Sequence, residues 1–183
     1  MGIYCIPWWR DPEILLYPEK IQIIYCAEGS SVFKPGGYTA MDQQESHNEQ
    51  MISEMTSAFN QSEFALLLGM QITEACDGYA RVVMDCSGKK NKNNVAHGGA
   101  VFSLADQAFG IAANCGGTDR VAVSIHIQYI APATGSLVAI ARCIADNGMH
   151  SLFRVVVYEG ERIIAEFDGV AINVPEGVSA ERK

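Results

Sequence analysis

Hydrophobic and polar positions follow different periods along this chain, and the change of period separates helices from strands. Between residues 48 and 69, apolar side chains recur every three to four positions, which predicts a helix. The residues that set this period are Met51, Ile52, Met55, Ala58 and Phe59. Asn60 then offers a helix cap, and Phe64–Leu68 predicts a second, short helix that Gly69 ends.

The segment from His97 to Asn114 carries apolar residues on nearly every face. It is too long for a strand and lacks alternation, so it predicts a buried helix. The hairpin dipeptide Asp77-Gly78 predicts two strands within residues 70–87. Short breaks separate the later runs, which predicts a four-strand antiparallel meander. These runs are Arg120–Ile130, Ser136–Asp146, His150–Glu159 and Arg162–Val174.

The first forty residues differ in character from the rest. They hold four of the six prolines and both tryptophans, with one strand-like run, Ile21–Cys26. We therefore treat residues 1–40 as an N-terminal appendage, 41–176 as the main domain and 177–183 as a C-terminal tail. Met41 is a plausible alternative translation start.

Composition and charge narrow the class of protein. With 13 Lys and Arg against 21 Asp and Glu, the net charge is −8, which argues against a nucleic-acid partner. No apolar run approaches the roughly 18–20 residues that span a bilayer, and residues 1–18 lack a basic cluster followed by an apolar stretch, so we expect neither a membrane-spanning helix nor a secretory signal. The six cysteines form no C-x-x-C pair and the four histidines no i, i+4 pair, so we expect no metal site. We predict a cytoplasmic protein with reduced thiols.

One face of the predicted central helix is polar. Its members are Ser103, Asp106, Gln107 and Asn114, with Gly110 between them. Asp106 is therefore a lone carboxylate halfway along a segment that otherwise favours burial. Burying a polar group without a hydrogen-bond partner costs on the order of 2–7 kcal/mol. Either this stripe faces solvent or a hydrogen-bonded subunit contact, or Asp106 is a functional acid or base.

The start of this helix, His97-Gly98-Gly99, offers a second chemical element. Its first N–H groups have no intrahelical partner, and glycine lets a ligand approach closely, so the turn can hold a developing oxyanion. The alternative is simply a tight turn. Gly98 and Asp106 are about 12 Å apart along a helix, too far to meet one carbonyl carbon. If both are functional, two antiparallel copies of the helix, and thus an obligate dimer, are required.

Three stretches of the sequence resemble a known family. The run from Asn91 to Asn114, with its H-G-G and L-A-D pattern, is similar to the hot-dog acyl-CoA thioesterases of the phenylacetate-degradation subgroup, within the 4-hydroxybenzoyl-CoA thioesterase superfamily. The run from Val123 to Ser136, with Y-x-x-P, and the tail R-I-I-A-E-F-D-G-V-A-I resemble it too. The resemblance implies an α+β hot-dog fold, a long central helix wrapped by a curved antiparallel sheet, in homodimers and often homotetramers.

The resemblance also implies an activity and its residues. The substrate is an acyl-CoA thioester, aryl or medium-chain, and no separate cofactor is needed because coenzyme A is part of the substrate. Asp106 acts as nucleophile or general base, and the Gly98 N–H polarises the thioester carbonyl. His97 shapes the turn, and Asn91 helps place the water or substrate.

A Ser or Thr on the following strand often assists the acid in this family. Ala122 stands at the closest-aligned position here, so we assign that role to Ser124, two residues on. Whether Asp106 attacks directly or deprotonates a water stays open.

Other functions stay open as well. A non-catalytic acyl-CoA-binding module would use the same fold without turnover. An enoyl-CoA hydratase would need an Asp–His pair at a different spacing. Three lysines, Lys89, Lys90 and Lys92, either meet CoA phosphates or are merely solvated. Tyr129 and Phe102 either line an acyl pocket or pack in the core.

Overall fold

The structure is a computed structural model, and it describes Gln50 and residues 52–174. The predicted appendage 1–40 with its run Ile21–Cys26, the position of Met41 and the tail 177–183 lie outside the described residues. Helix α1 covers residues 52–60. The elements that follow are α2 (Glu63–Leu68), β1 (Gln71–Cys76), β2 (Tyr79–Asp85), α3 (Gly98–Asn114), β3 (Arg120–Tyr129), β4 (Ser136–Asp146), β5 (His150–Glu159) and β6 (Arg162–Asn173).

The short helix α2 ends as predicted but begins differently. Gly69 ends it in the left-handed conformation with φ 61°, which glycine adopts without a steric cost. Its N-cap is Ser62, whose Oγ accepts a hydrogen bond from the Ala65 N–H. The predicted cap, Asn60, is wrong because that residue is still helical. The Asn60 Oδ1 instead accepts from the Ile72 N–H at 3.0 Å and ties α1 to β1.

The strands form one six-stranded sheet in the order β1-β2-β4-β5-β6-β3, and every neighbouring pair is antiparallel. The predicted hairpin around Asp77-Gly78 is confirmed, with Gly78 at φ 73°. The predicted four-strand meander is wrong for β3, which pairs with β6 and not with β4. The connection over residues 130–135 crosses three strand spacings, about 14 Å, which six extended residues reach easily at about 3.3 Å each.

Helix α3 packs across the inner face of this sheet, and the predicted buried helix is confirmed. Phe109, in its middle, is 2% exposed and lies between Phe153 and Phe167, with ring centroids 5.3 and 5.7 Å away. Phe102 contacts Phe167 at 5.9 Å, so it packs against the core. None of the helices in the described part is long and apolar enough to cross a membrane. The cytoplasmic location stays a prediction.

Strand β3 forms one edge of the sheet and leaves apolar side chains uncovered. Val121 is 48% exposed and Val123 is 53% exposed, and Val123 is the extra residue of a bulge. The edge is ten residues long. A long edge strand with exposed apolar residues is a template on which another strand can pair.

Candidate active site

The start of α3 is organised around its N-cap, His97. The His97 Nδ1 accepts a hydrogen bond from the Gly99 N–H at 3.0 Å. The His97 carbonyl accepts from the Ala100 and Val101 N–H groups at 2.9 and 3.2 Å. Three of the four N–H groups that a helix start leaves unpaired are thereby satisfied. Only the Gly98 N–H has no acceptor among the described residues.

The polar loop before α3 is closed by Asn91. Its Oδ1 accepts from the Asn93 N–H at 2.8 Å, and its backbone N–H donates to the Val95 carbonyl at 2.8 Å. The Asn91 side-chain oxygen is thus used inside the loop. Its amide NH₂ makes no hydrogen bond within residues 52–174.

A cavity of about 320 Å³ opens beside the start of α3. Gly98 and Tyr129 lie in its wall, and the other lining residues are apolar: Ala96, Val101, Ile130, Ala131, Pro132, Ala133 and Ile164. Of the two aromatic residues considered in the sequence analysis, Tyr129 lines this cavity and Phe102 does not. Mostly apolar walls with one backbone donor suit an uncharged chain attached to a polarised carbonyl.

Asp106 lies on the one face of α3 that the sheet leaves partly uncovered. All five residues of the polar stripe are partly exposed, whereas the other residues of α3, apart from Gly98, Gly99 and Phe102, are buried. The Asp106 carboxylate has no hydrogen bond or ion pair with any described residue, and partial burial raises its pKa above the usual range by desolvation. Beside it, the Gln107 Nε2 is buried and has no hydrogen-bond partner among the described residues. An unpaired carboxylate in this setting can serve as a base or nucleophile.

Two other members of the stripe have structural partners. The Ser103 hydroxyl donates to the Gly99 carbonyl at 2.8 Å. The Asn114 amide donates to the Gly110 carbonyl and accepts from the Arg120 N–H, both at 2.8 Å, which ties the end of α3 to β3. Asp106 is therefore the one titratable residue of the stripe, and its carboxylate has no hydrogen-bond partner among the described residues.

A single chain does not bring Asp106 and Gly98 together. Asp106 is absent from the wall of the cavity that contains Gly98. The two residues are eight positions apart on one straight helix, or about 12 Å. One carbonyl carbon cannot contact both groups of the same chain.

The structure also separates Ser124 from the site. Ser124 pairs with Val170, whereas Ile125 and Ile127 pack against the core. Because side chains alternate along a strand, Ser124 lies on the face of the sheet opposite α3. Ala122, which pairs with the buried Ala171, faces α3 and has no hydroxyl. We therefore remove Ser124 from the candidate site.

The sequence identified Tyr129 only as a possible pocket residue and missed its hydrogen bond. The Tyr129 hydroxyl donates to the Gly98 carbonyl at 3.0 Å. The only signal for this contact is the position of Tyr129 at the end of a strand, three residues before Pro132. Residues 52–174 and Gln50 hold no group of three or more His, Cys, Asp or Glu side chains placed to bind a metal ion.

A helix laid across a six-stranded antiparallel sheet, with its N-terminus beside an apolar cavity, defines a hot-dog domain. Residues 93–164 match the family described as the thioesterase superfamily. The structure of the PaaI protein from the phenylacetic acid degradation operon of Escherichia coli superposes with a TM-score of 0.64 at 26% identity. That match covers 70% of this chain and 95% of that one.

Curated relatives agree with this match. A candidate esterase of Deinococcus radiodurans is 32% identical over 58% of this chain and 75% of its own length. A candidate esterase of Archaeoglobus fulgidus is 35% identical over 55% of this chain, which spans half the length of that relative. The acyl-coenzyme A thioesterase PaaI of Escherichia coli is 29% identical over 64% of this chain and 86% of its own length.

The chain therefore belongs to the thioesterase superfamily. Its hot-dog fold and its similarity to the phenylacetate-degradation thioesterases, both predicted from the sequence, are confirmed. The class of enzyme that these relatives indicate is a thioester hydrolase.

Proposed function

We propose that this protein hydrolyses acyl-CoA thioesters at a site shared between two subunits of a homodimer. Asp106 of one chain acts on a thioester whose carbonyl oxygen is held by Gly98 of the partner subunit. The observation that carries the proposal is the unpaired, half-buried Asp106 carboxylate on the open face of α3. A second copy of α3, running antiparallel, would cover that face and bring the missing N–H donor.

The proposed chemistry needs only these two groups. The Gly98 N–H, at the positive end of α3, stabilises the oxyanion that forms as the carbonyl carbon becomes tetrahedral. Asp106 either takes a proton from the attacking water or attacks the carbon itself, giving an anhydride that water then cleaves. In both routes the carbon–sulfur bond breaks and CoA leaves as a thiolate, which takes up a proton. His97 shapes the donor turn, and Asn91 contacts the water or substrate through its amide NH₂.

The substrate class follows from the cavity and the relatives. The walls beside Gly98 are apolar, which suits an aryl or medium-chain acyl group or the pantetheine arm. The relative in Escherichia coli is named as an acyl-coenzyme A thioesterase. We extend that activity to this chain, with a homodimer as the smallest active form and a homotetramer as its assembly.

The first experiment measures release of free thiol from a panel of aryl- and medium-chain acyl-CoA esters. We expect turnover by the unmodified protein and a loss of at least about a hundredfold in Asp106→Asn, the range typical of general-base removal. Full activity in that variant would refute the role of Asp106. Saturable binding of the esters without any turnover by the unmodified protein would instead favour the non-catalytic binding module.

The second experiment tests whether the site is shared. Gly98→Pro removes the candidate donor at the first helical position, where proline is well tolerated, and His97 at φ −64° and ψ 134° can precede a proline. Each single variant should be inactive. A heterodimer of an Asp106→Asn chain and a Gly98→Pro chain retains one intact site if the two groups come from different subunits, and should show about half the activity of the unmodified dimer. No recovery would place both groups in one chain.

A further inference from the structure

The hydroxyl of Tyr129 makes the one side-chain hydrogen bond to Gly98 in the described residues. Tyr129 Oη donates to the Gly98 carbonyl at 3.0 Å, and the two residues are 31 positions apart. The ring also lies against the side of Gly98 where other residues carry a Cβ. A Cβ built on Gly98 would lie 3.4 Å from Tyr129 Cζ and 3.5 Å from its Oη. Tyr129 therefore engages both the carbonyl and the open side of Gly98.

Tyr129 is itself held firmly by the sheet. It is the last residue of β3 and pairs with Ala165 of β6. The next N–H group, that of Ile130, donates to the Ile164 carbonyl at 2.8 Å. The tyrosine thus projects from a fixed point, and its ring remains 54% exposed along the cavity wall.

Gly98 needs such an anchor more than an ordinary helical residue does. Glycine has the largest conformational freedom, and the first turn of a helix frays readily. The remaining N–H groups of this turn are fixed by His97, but the Gly98 N–H has no protein partner to orient it. A small rotation about the residue would change the direction of this N–H.

We propose that Tyr129 is a positioning residue that holds Gly98 so that its N–H meets the thioester oxygen. The inference rests on the proposed oxyanion role of Gly98. Tyr129→Phe keeps the ring and deletes only the hydroxyl. We expect kcat to fall about three- to tenfold, the range of one neutral hydrogen bond, with KM changed less than twofold.

Two inhibitors separate positioning from substrate contact. A trifluoromethyl-ketone analogue of the acyl-CoA adds water and mimics the tetrahedral centre, whereas the matching CoA thioether has no carbonyl. Tyr129→Phe should weaken binding of the ketone about three- to tenfold and leave binding of the thioether unchanged. Tyr158→Phe is the matched control because the Tyr158 hydroxyl on β5 makes no hydrogen bond with any described residue.

Unchanged kcat in Tyr129→Phe would overturn the inference while the proposed hydrolase stands. An equal loss of affinity for both inhibitors, or a rise in KM alone, would also overturn it, because the hydroxyl would then contact substrate. Amide hydrogen exchange gives a readout that needs no activity. The first turn of α3 should exchange faster in Tyr129→Phe than in Tyr158→Phe, and equal protection would contradict the anchoring role even if no acyl-CoA ester were hydrolysed.

Discussion

At the scale of single residues, Asp106 is the feature that conflicts with stability. The carboxylate is half-buried, and no described residue donates a hydrogen bond to it, so desolvation raises its pKa. A carboxyl that is harder to ionise when folded opposes folding once the pH allows ionisation. Proteins tolerate such groups where function needs them, which is consistent with the proposed role of Asp106.

Asp106→Asn should therefore stabilise the protein at neutral pH while it removes activity. Between the unfolded and the raised folded pKa, the folded state binds more protons, so stability falls as the pH rises through this window. Above this pH window the destabilisation caused by ionised Asp106 is complete. At a pH below the pKa of Asp106 in the unfolded state it is absent. The melting temperature of Asp106→Asn should exceed that of the unmodified protein at pH 7, and the gap should close near pH 3.

If the substitution acted independently of charge, the difference in melting temperature between Asp106→Asn and the unmodified protein would be the same at pH 7 and near pH 3. That result, or a lower melting temperature at pH 7, would contradict the desolvation argument. Asp85→Asn is a suitable control because hydrogen bonds from Ser87 lower the pKa of Asp85, so its removal should change stability in the opposite direction at neutral pH.

At the scale of elements, local patterns predicted the helices and strands well because they depend on neighbouring residues. The bounds of β4 and β5 agree with the prediction, since alternation and short turns are local signals. The pairing of β3 with β6 was missed because it joins residues far apart in sequence. The same limit applies to Ser124, since the sequence could not show that a bulge at Val123 places it on the outer face.

The contact between α3 and the sheet depends on one glycine of β6. A Cβ on Gly169 would lie 3.0 Å from Phe109 Cζ and from Phe167 Cε1, which is tighter than most Cβ contacts in proteins, so the rings would have to shift by a few tenths of an ångström. Gly169→Ala should therefore destabilise the fold by about 1–3 kcal/mol, the usual cost of overpacking a core. Urea unfolding would measure the difference.

A double-mutant cycle tests the cause of this loss. Phe109→Leu removes the ring that the new methyl group meets, so Gly169→Ala should cost less in that background than in the unmodified chain. Strictly additive free energies of unfolding would mean that the methyl group does not meet Phe109.

At the scale of the whole molecule, the candidate site is divided between the N-terminus of α3, at Gly98, and the middle of the same helix, at Asp106. The sequence could identify the two groups, because a lone acid on an apolar helix and a glycine turn are local features. The sequence gives only the distance between these two groups along one helix, and not their distance across two chains. Whether the groups of two chains meet depends on an interface, and the exposed apolar residues of β3 offer the edge for it.

If β3 is that edge, charge placed on it should separate the subunits and abolish activity together. Val121 and Val123 are about half exposed in one chain, so lysine there costs the fold little but opposes pairing with a second strand. We expect the Val121→Lys, Val123→Lys double variant to sediment as a monomer with an unchanged circular dichroism spectrum and no thioesterase turnover.

Met149→Lys is the matched control, since Met149 is 66% exposed in the turn between β4 and β5. It should remain dimeric and active. A double variant that stays dimeric would place the interface elsewhere, and an active monomer would contradict the shared site.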